Sequence, residues 1–175
     1  MTSPLLYRRA TPDDLLAICE LAQQLNSLHH QERPDIYAPA TENFARDSTH
    51  WQPYIDGENQ VTFLAEQAGR TIGFITVQVT QFTSPLMQPQ RVGRVGSVCV
   101  DESIRGQGIG RALMQCAQTW AIEQNAVDLR LTVWAFNAPA LRLYEELGYE
   151  VRAFEMGIRL EEIPDQGACR TLSRL

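Results

Sequence analysis

Val98-Cys99-Val100-Asp101-Glu102-Ser103-Ile104-Arg105-Gly106-Gln107-Gly108-Ile109-Gly110-Arg111-Ala112-Leu113-Met114 changes its apolar period in mid-course. Upstream, Val95, Val98 and Val100 are β-branched and read as a strand, and Gly96 among them marks a bulge or bend. Downstream, Ile109, Leu113, Cys116, Ala117 and Trp120 recur at helical spacing. Between the two, Gly106, Gly108 and Gly110 alternate with larger residues. Lacking Cβ atoms, they let backbone N–H groups turn inward, and such a row at a helix N-terminus suits an anion, phosphate above all. Two phosphate loops fail to fit. Arg111-Ala112 stands where a P-loop carries Lys and Ser or Thr, and Arg111 stands where a dinucleotide fingerprint needs its third glycine.

At 175 residues, 44% hydrophobic and 21% charged, the chain reads as a single domain, 1–175, with a substantial core. A net charge of −6 disfavours nucleic acid and mildly favours a cationic partner. All 15 basic residues are arginine, which excludes lysine Schiff-base chemistry. Cys19, Cys99, Cys116 and Cys169 lack metal-ligand spacing, and no metal site is expected. Neither a signal peptide nor a membrane-length apolar run is visible, so a cytoplasmic protein with reduced thiols and no membrane partner is expected.

Residues 5–9 suit a strand. Thr11-Pro12-Asp13-Asp14 then opens a helix that carries Leu15, Ile18, Ala22, Leu25 and Leu28 to about His29-His30. The connection that follows contains Glu32, Arg33, Asp35 and Tyr37. It reads either as a substrate loop or as a solvated helix end with Arg33 paired to Glu32 or Asp35. A short helix is expected over 41–51, closed by Pro53 and Asp56-Gly57. Residues 61–67 and 71–82 form a hairpin around Gly69, 84–89 a loop and 91–100 the strand above. After the long helix, 127–134 alternates as a strand. Asn137 starts a helix bearing Leu141, Tyr144 and Leu147, with Gly148 as its cap. Residues 149–160 alternate as one or two strands; 164–167 is a turn and 168–175 a last strand or a tail. This order predicts an α/β (mixed α+β) fold, one central mixed sheet with helices on both faces. The apolar alternation at 154–160 leaves an edge that a second copy could cover, so a homodimer is expected.

Arg105-Gly106-Gln107-Gly108-Ile109-Gly110, read as Arg-x-x-Gly-x-Gly after a strand, resembles the acetyl-CoA pyrophosphate loop of the GNAT superfamily of N-acetyltransferases. Asn137-Ala138-Pro139-Ala140-Leu141-Arg142-Leu143-Tyr144-Glu145-Glu146-Leu147-Gly148-Tyr149 is similar to the family's Asn-x-x-Ala-x-x-x-Tyr-x-x-x-Gly-Phe signature, with Tyr149 for Phe. The resemblance, covering about residues 5–160, implies a GNAT-like fold with acetyl-CoA as co-substrate. It implies that the main chain of Val98, Cys99 and Val100 pairs with the pantetheine arm, and that the loop from Arg105, Gly106, Gln107, Gly108, Ile109 and Gly110 to Arg111 holds the pyrophosphate. Asn137, also an apt N-cap, would touch the cofactor, Val100 N–H would stabilise the oxyanion and Tyr144 would protonate the departing thiolate.

Some relatives place a glutamate on the strand before the loop, where this chain has Gly96 and Ser97. The subgroup acting on protein N-termini carries one five residues before the motif asparagine, where this chain has Thr132. No general base is therefore obvious, and Glu32 or a water chain could serve. The expected activity is acetyl transfer to a primary amine of a small molecule. A protein lysine or N-terminus is the alternative acceptor, and a non-catalytic acyl-CoA sensor the alternative of another class.

Overall fold

The computed structural model describes residues 4–160. In chain order these form β1 (Leu5–Arg9), α1 (Leu15–Glu32), α2 (Phe44–Trp51), α3 (Pro53–Asp56), β2 (Gln60–Gln67), β3 (Arg70–Ser84), β4 (Met87–Val100), α4 (Ile109–Glu123), β5 (Asp128–Arg130) and α5 (Ala138–Glu146). One sheet runs β1-β2-β3-β4-β5. Its first four strands pair antiparallel, while β5 pairs parallel to β4 because α4 carries the chain back across the sheet.

Helices cover both faces, as the element order predicts. On one, Ile109, Leu113, Met114, Ala117 and Trp120 of α4 pack on Val61, Ala65, Ile75 and Val77, with Tyr144 and Leu147 of α5 alongside. On the other, Ile18, Cys19, Leu21 and Ala22 of α1 and Trp51 of α2 pack on Leu64, Phe74 and Cys99. None of the described helices is long and apolar enough to cross a membrane.

Asp14 does more than complement a helix dipole. Its carboxylate accepts both terminal nitrogens of Arg8 at 2.8 Å and the Thr11 amide at 2.8 Å, tying the start of α1 to β1. Arg8 also reaches Glu66 at 2.9 Å.

Several expectations need correction. Pro53 does not close the second helix but opens α3, because proline suits a first helical turn; Gly57 ends it. Residues 84–89 are no loop: Ser84 pairs with Met87, so β3 and β4 run on as a ribbon past their neighbours, exposing Phe82, Leu86 and Met87. β5 pairs over three residues, not eight. Residues 149–160 form no strand, since β5 offers so short an edge. Instead Arg152 binds Asp128 and Arg159 binds Asp35, while Phe154, Met156, Ile158 and Leu160 stay at least 75% exposed. The expected turn at 164–167 and last strand at 168–175 lie outside the described residues.

The Arg8 guanidinium, helped by Thr11, holds the Asp14 carboxyl at about 2, below the ordinary carboxylate value. A depressed folded-state pKa contributes stability above the ordinary value that is lost as pH falls toward 2. Asp14→Asn should therefore lower stability by about 1 kcal/mol at neutral pH and flatten the melting-temperature loss between about pH 4 and 2. Thermal melts across that range check both effects.

Candidate functional site

The site begins at Gly96. Across β3 and β4, Thr76 pairs with Ser97 but Val77 pairs with Val95, so Gly96 is the extra residue of a bulge. A Cβ at Gly96 would lie 2.7 Å from the Thr76 hydroxyl and 3.3 Å from the Tyr54 hydroxyl. The Ser97 amide instead donates to Thr76 Oγ1 at 2.9 Å, and Thr76 is fully buried. Bulges bend and twist their strand. Accordingly β4 and β5 part after Arg94 pairs with Arg130, and among the described residues no strand lies beyond β4 from Val95 to Val100.

Backbone alternation decides which groups face that open edge. The Asp101 amide donates to the Ile72 carbonyl at 2.9 Å, so in the antiparallel ladder Cys99 turns its main chain toward Phe74. Val98 and Val100 turn theirs outward. This separates Cys99 from the two valines with which it was grouped. Its thiol donates to the Leu21 carbonyl in the α1 core, and burial pushes it up to about 11. Val98 lines the cleft described below, whereas Val100 lies toward the glycine loop with its carbonyl accepting from Arg105 Nε at 3.0 Å.

In that loop Gly106 and Gly108 have φ of +81° and +80°, a left-handed conformation that favours glycine, and nothing stands within 4 Å of a Cβ added to either. Gly108 caps α4, leaving the N–H groups of Ile109, Gly110 and Arg111 at its first turn. Ile109 is buried in the core, Gln107 is exposed, and Arg111 pairs with Glu146 of α5. Leu143 would lie 3.4 Å from a Cβ at Gly110, so α5 sits close against the loop helix. Buried Asp101, joined to Arg70, steadies the turn before the loop by accepting from Ser103 N and Oγ at 3.0 and 2.8 Å.

Asn137 caps α5, its side chain accepting from Ala140 N at 3.3 Å, and also lines the cleft. Tyr144, seven residues on, lines it too. Burial, reinforced by Tyr149, pushes the Tyr144 phenol up to about 12. The phenol thus stays protonated through neutral pH.

The parted strands open into a cleft of about 580 Å³ roofed by α1 and α2. Of the four residues expected there from the 32–37 connection, only Tyr37 lines it. Glu32 is exposed elsewhere. Arg33 makes two bonds to Asp35, at 2.9 and 2.8 Å, and stacks 5.0 Å above Trp134. Asp35 also holds Arg159. The ion-paired reading of that connection describes Arg33 and Asp35, while Tyr37 accepts from the Trp134 indole at 2.7 Å.

The 51–54 segment, which sequence reading offers as a closure of the amine site, does line it through Trp51 and Tyr54, whereas His29, Asp47, His50 and Trp134 are not singled out by the sequence as lining residues. His29 is no solvated helix end: its ring lies 4.6 Å from that of Tyr37, and burial lowers its pKa below the usual 6.5. His30 turns away to the Tyr37 carbonyl. A signal was available, since His29 lies four residues after Leu25 on one helix face.

A sequence model described as the acetyltransferase (GNAT) family matches residues 22–149. A mycothiol acetyltransferase of Amycolatopsis mediterranei is 37% identical over 87 residues, 50% of this chain and 29% of that protein. An N-alpha-acetyltransferase of Sulfurisphaera tokodaii is 38% identical over 92 residues, 50% of this chain and 55% of that one. The chain thus matches less than two thirds of the length of these relatives. Among solved structures, the BH1408 protein of Bacillus halodurans superimposes with a TM-score of 0.80 at 26% identity, covering 89% of this chain and 99% of its own. The aminoglycoside N-acetyltransferase AAC(6')-Iy in complex with CoA shares the fold at a TM-score of 0.70 and 18% identity, covering 90% of this chain and 95% of its own.

Thr76→Val keeps the shape but leaves the Ser97 amide unsatisfied, which should cost about 1–3 kcal/mol. Denaturant unfolding measures it, and a loss below about 0.5 kcal/mol would show that the hydroxyl does not hold the bulge.

Proposed function

The chain belongs to the GNAT acetyltransferase family, and on that premise we propose that it moves an acetyl group from acetyl-CoA directly to a primary amine of a small molecule. The observation that carries this reading is one continuous path. The free edge of β4 runs from the cleft, past Tyr144, to a glycine loop with open space before it.

The residues present fit acetyl-CoA. Backbone N–H groups from Gly106 to Arg111 offer donors to a pyrophosphate, and the outward main chain of Val98 and Val100 offers a strand edge to the pantetheine amides. Acetyl-CoA supplies an activated thioester carbonyl and a sulfur leaving group. Val98 N–H, the outward amide that borders the cleft, is placed to stabilise the oxyanion, in preference to Val100. Uncharged at neutral pH, His29 is a proton acceptor that lines the cleft, which Glu32 does not. Tyr144 donates to the sulfur. A phenol near 12 does not surrender its proton outright to a thiolate whose acid has a pKa of about 8.5. It holds a hydrogen bond to the sulfur as the C–S bond breaks, while the proton that the attacking nitrogen loses passes to His29 and the expelled thiolate leaves as the anion or takes a proton from solvent.

A small acceptor is favoured because Tyr37 closes the cleft from one side and Trp51 and Tyr54 from the other. Thr132, where N-terminal acetyltransferases carry glutamate, accepts from Arg94 at 2.8 Å.

We further propose that two copies pair through the exposed row Phe154, Met156, Ile158. The row has strand period and no strand partner within the described chain, and the same chain presents a second apolar ribbon at Phe82, Leu86 and Met87.

Two variants separate binding from chemistry. Gly108→Val should weaken acetyl-CoA at least about tenfold by calorimetry, with circular dichroism confirming the fold. Tyr144→Phe should bind acetyl-CoA normally yet slow turnover roughly 10²-fold. Unchanged affinity in the first, or full turnover in the second, would remove the assigned role. For assembly, light scattering should give twice the chain mass and Ile158→Glu should halve it; a monomer at every accessible concentration would overturn pairing.

A further inference from the structure

Resting on the acetyl-transfer reading, we propose that the acceptor amine has an aromatic or similarly flat apolar body and no second positive charge. Two clusters of rings line the cleft, His29 with Tyr37 and Trp134, and His50 with Trp51 and Tyr54. These rings already meet edge-on or tilted: Tyr37 and Trp134 at 5.9 Å, His50 and Trp51 at 4.5 Å. Each cluster is thus a braced group of rings, whose remaining faces and edges can take a substrate ring by the same edge-on or offset contacts. The volume of about 580 Å³ leaves room for a one- or two-ring amine beside the thioester end.

Charge points the same way. Among the described lining residues the only carboxylate is Asp47, and it is 9% exposed. Arg46 Nε occupies its Oδ1 at 2.5 Å, while Gln23 and Asn26 donate to Oδ2 at 2.8 and 3.4 Å. Asp47 is therefore a neutralised strut between α1 and α2 rather than an anchor for a cation. The acidic residues of the 32–37 connection do not line the cleft, and Asp56 lies outside it with Gln52. A second ammonium entering here would shed water without meeting a free counter-charge. The reacting amine escapes that cost because it must be neutral to attack.

The test compares tryptamine and 2-phenylethylamine with spermidine and kanamycin, following acetyl-CoA-dependent thiol release. The two arylalkylamines should show kcat/KM at least tenfold higher. Trp134→Ala should raise KM for tryptamine about tenfold with kcat and the acetyl-CoA KM little changed, and Trp134→Phe should restore most of the loss. Arg46→Gln, which uncovers Asp47, should raise the ratio of spermidine to tryptamine kcat/KM several-fold. Calorimetry with N-acetyltryptamine reads the ring site without any chemistry: wild type should bind it, and Trp134→Ala at least tenfold more weakly. Higher kcat/KM for spermidine or kanamycin, or failure of wild type to bind N-acetyltryptamine, overturns the proposal even if acetyl-CoA binds and turns over. Failure to bind acetyl-CoA with N-acetyltryptamine still bound would instead overturn the transferase reading and leave the ring site standing.

Discussion

One hydrogen bond sets the architecture of this site: the Ser97 amide on the buried Thr76 hydroxyl. A bulge leaves an amide without its ladder partner, and a buried amide left so costs more than most side chains can return. Thr76 supplies the acceptor from within the neighbouring strand, and Gly96 leaves the space for it. With the bulge stable, β4 bends away and β5 cannot follow it beyond Arg94. The open edge, the cleft and the route to the glycine loop all descend from that divergence.

The rest of the molecule holds the two sides of the opening at fixed separation. On the β5 side, Arg33 stacks on Trp134 and is itself fixed by Asp35, while the Tyr37 hydroxyl takes the indole proton. On the loop side, α5 is pressed to α4 by Leu143 over Gly110 and by the Arg111–Glu146 pair. Tyr144 is therefore placed by packing along its whole helix, not by a bond to its own hydroxyl. Tyr149, whose buried hydroxyl has no hydrogen bond of good geometry and faces Gln118, serves as its tilted ring neighbour at 5.9 Å.

Local signals made much of this legible. The bulge was marked by Gly96 between β-branched residues, the anion loop by Gly106 and Gly108, and the α4 face by its spacing. What failed depended on partners distant in sequence. Residues 127–134 alternate as a strand should, yet only three pair, because pairing needs a neighbour and β4 has turned away. Residues 149–160 alternate as well and find no edge long enough. Some of the cleft's ring-bearing residues were missed for a similar reason. His29 lies on α1, His50 on α2 and Trp134 in the stretch between β5 and α5, and nothing in the sequence brings them together. Glu32 and Asp35 drew attention as carboxylates in a loop, but Arg33 and Arg159 show that Asp35 is spent on structure.

The ring-lined, charge-neutral cleft also explains a pairing of opposite pKa shifts. Removing water penalises whichever form of a group is charged. For Tyr144 that form is the phenolate, so its pKa rises to about 12; for His29 it is the imidazolium, so its pKa falls. One physical cause thus leaves a protonated donor and an unprotonated acceptor lining the same space at neutral pH, the division of labour that acyl transfer requires. An added carboxylate would favour the imidazolium and hold His29 charged, spoiling the acceptor. Asp47, the one carboxylate among the described lining residues, is already bound by Arg46, Gln23 and Asn26, and desolvation is the leading cause at both Tyr144 and His29.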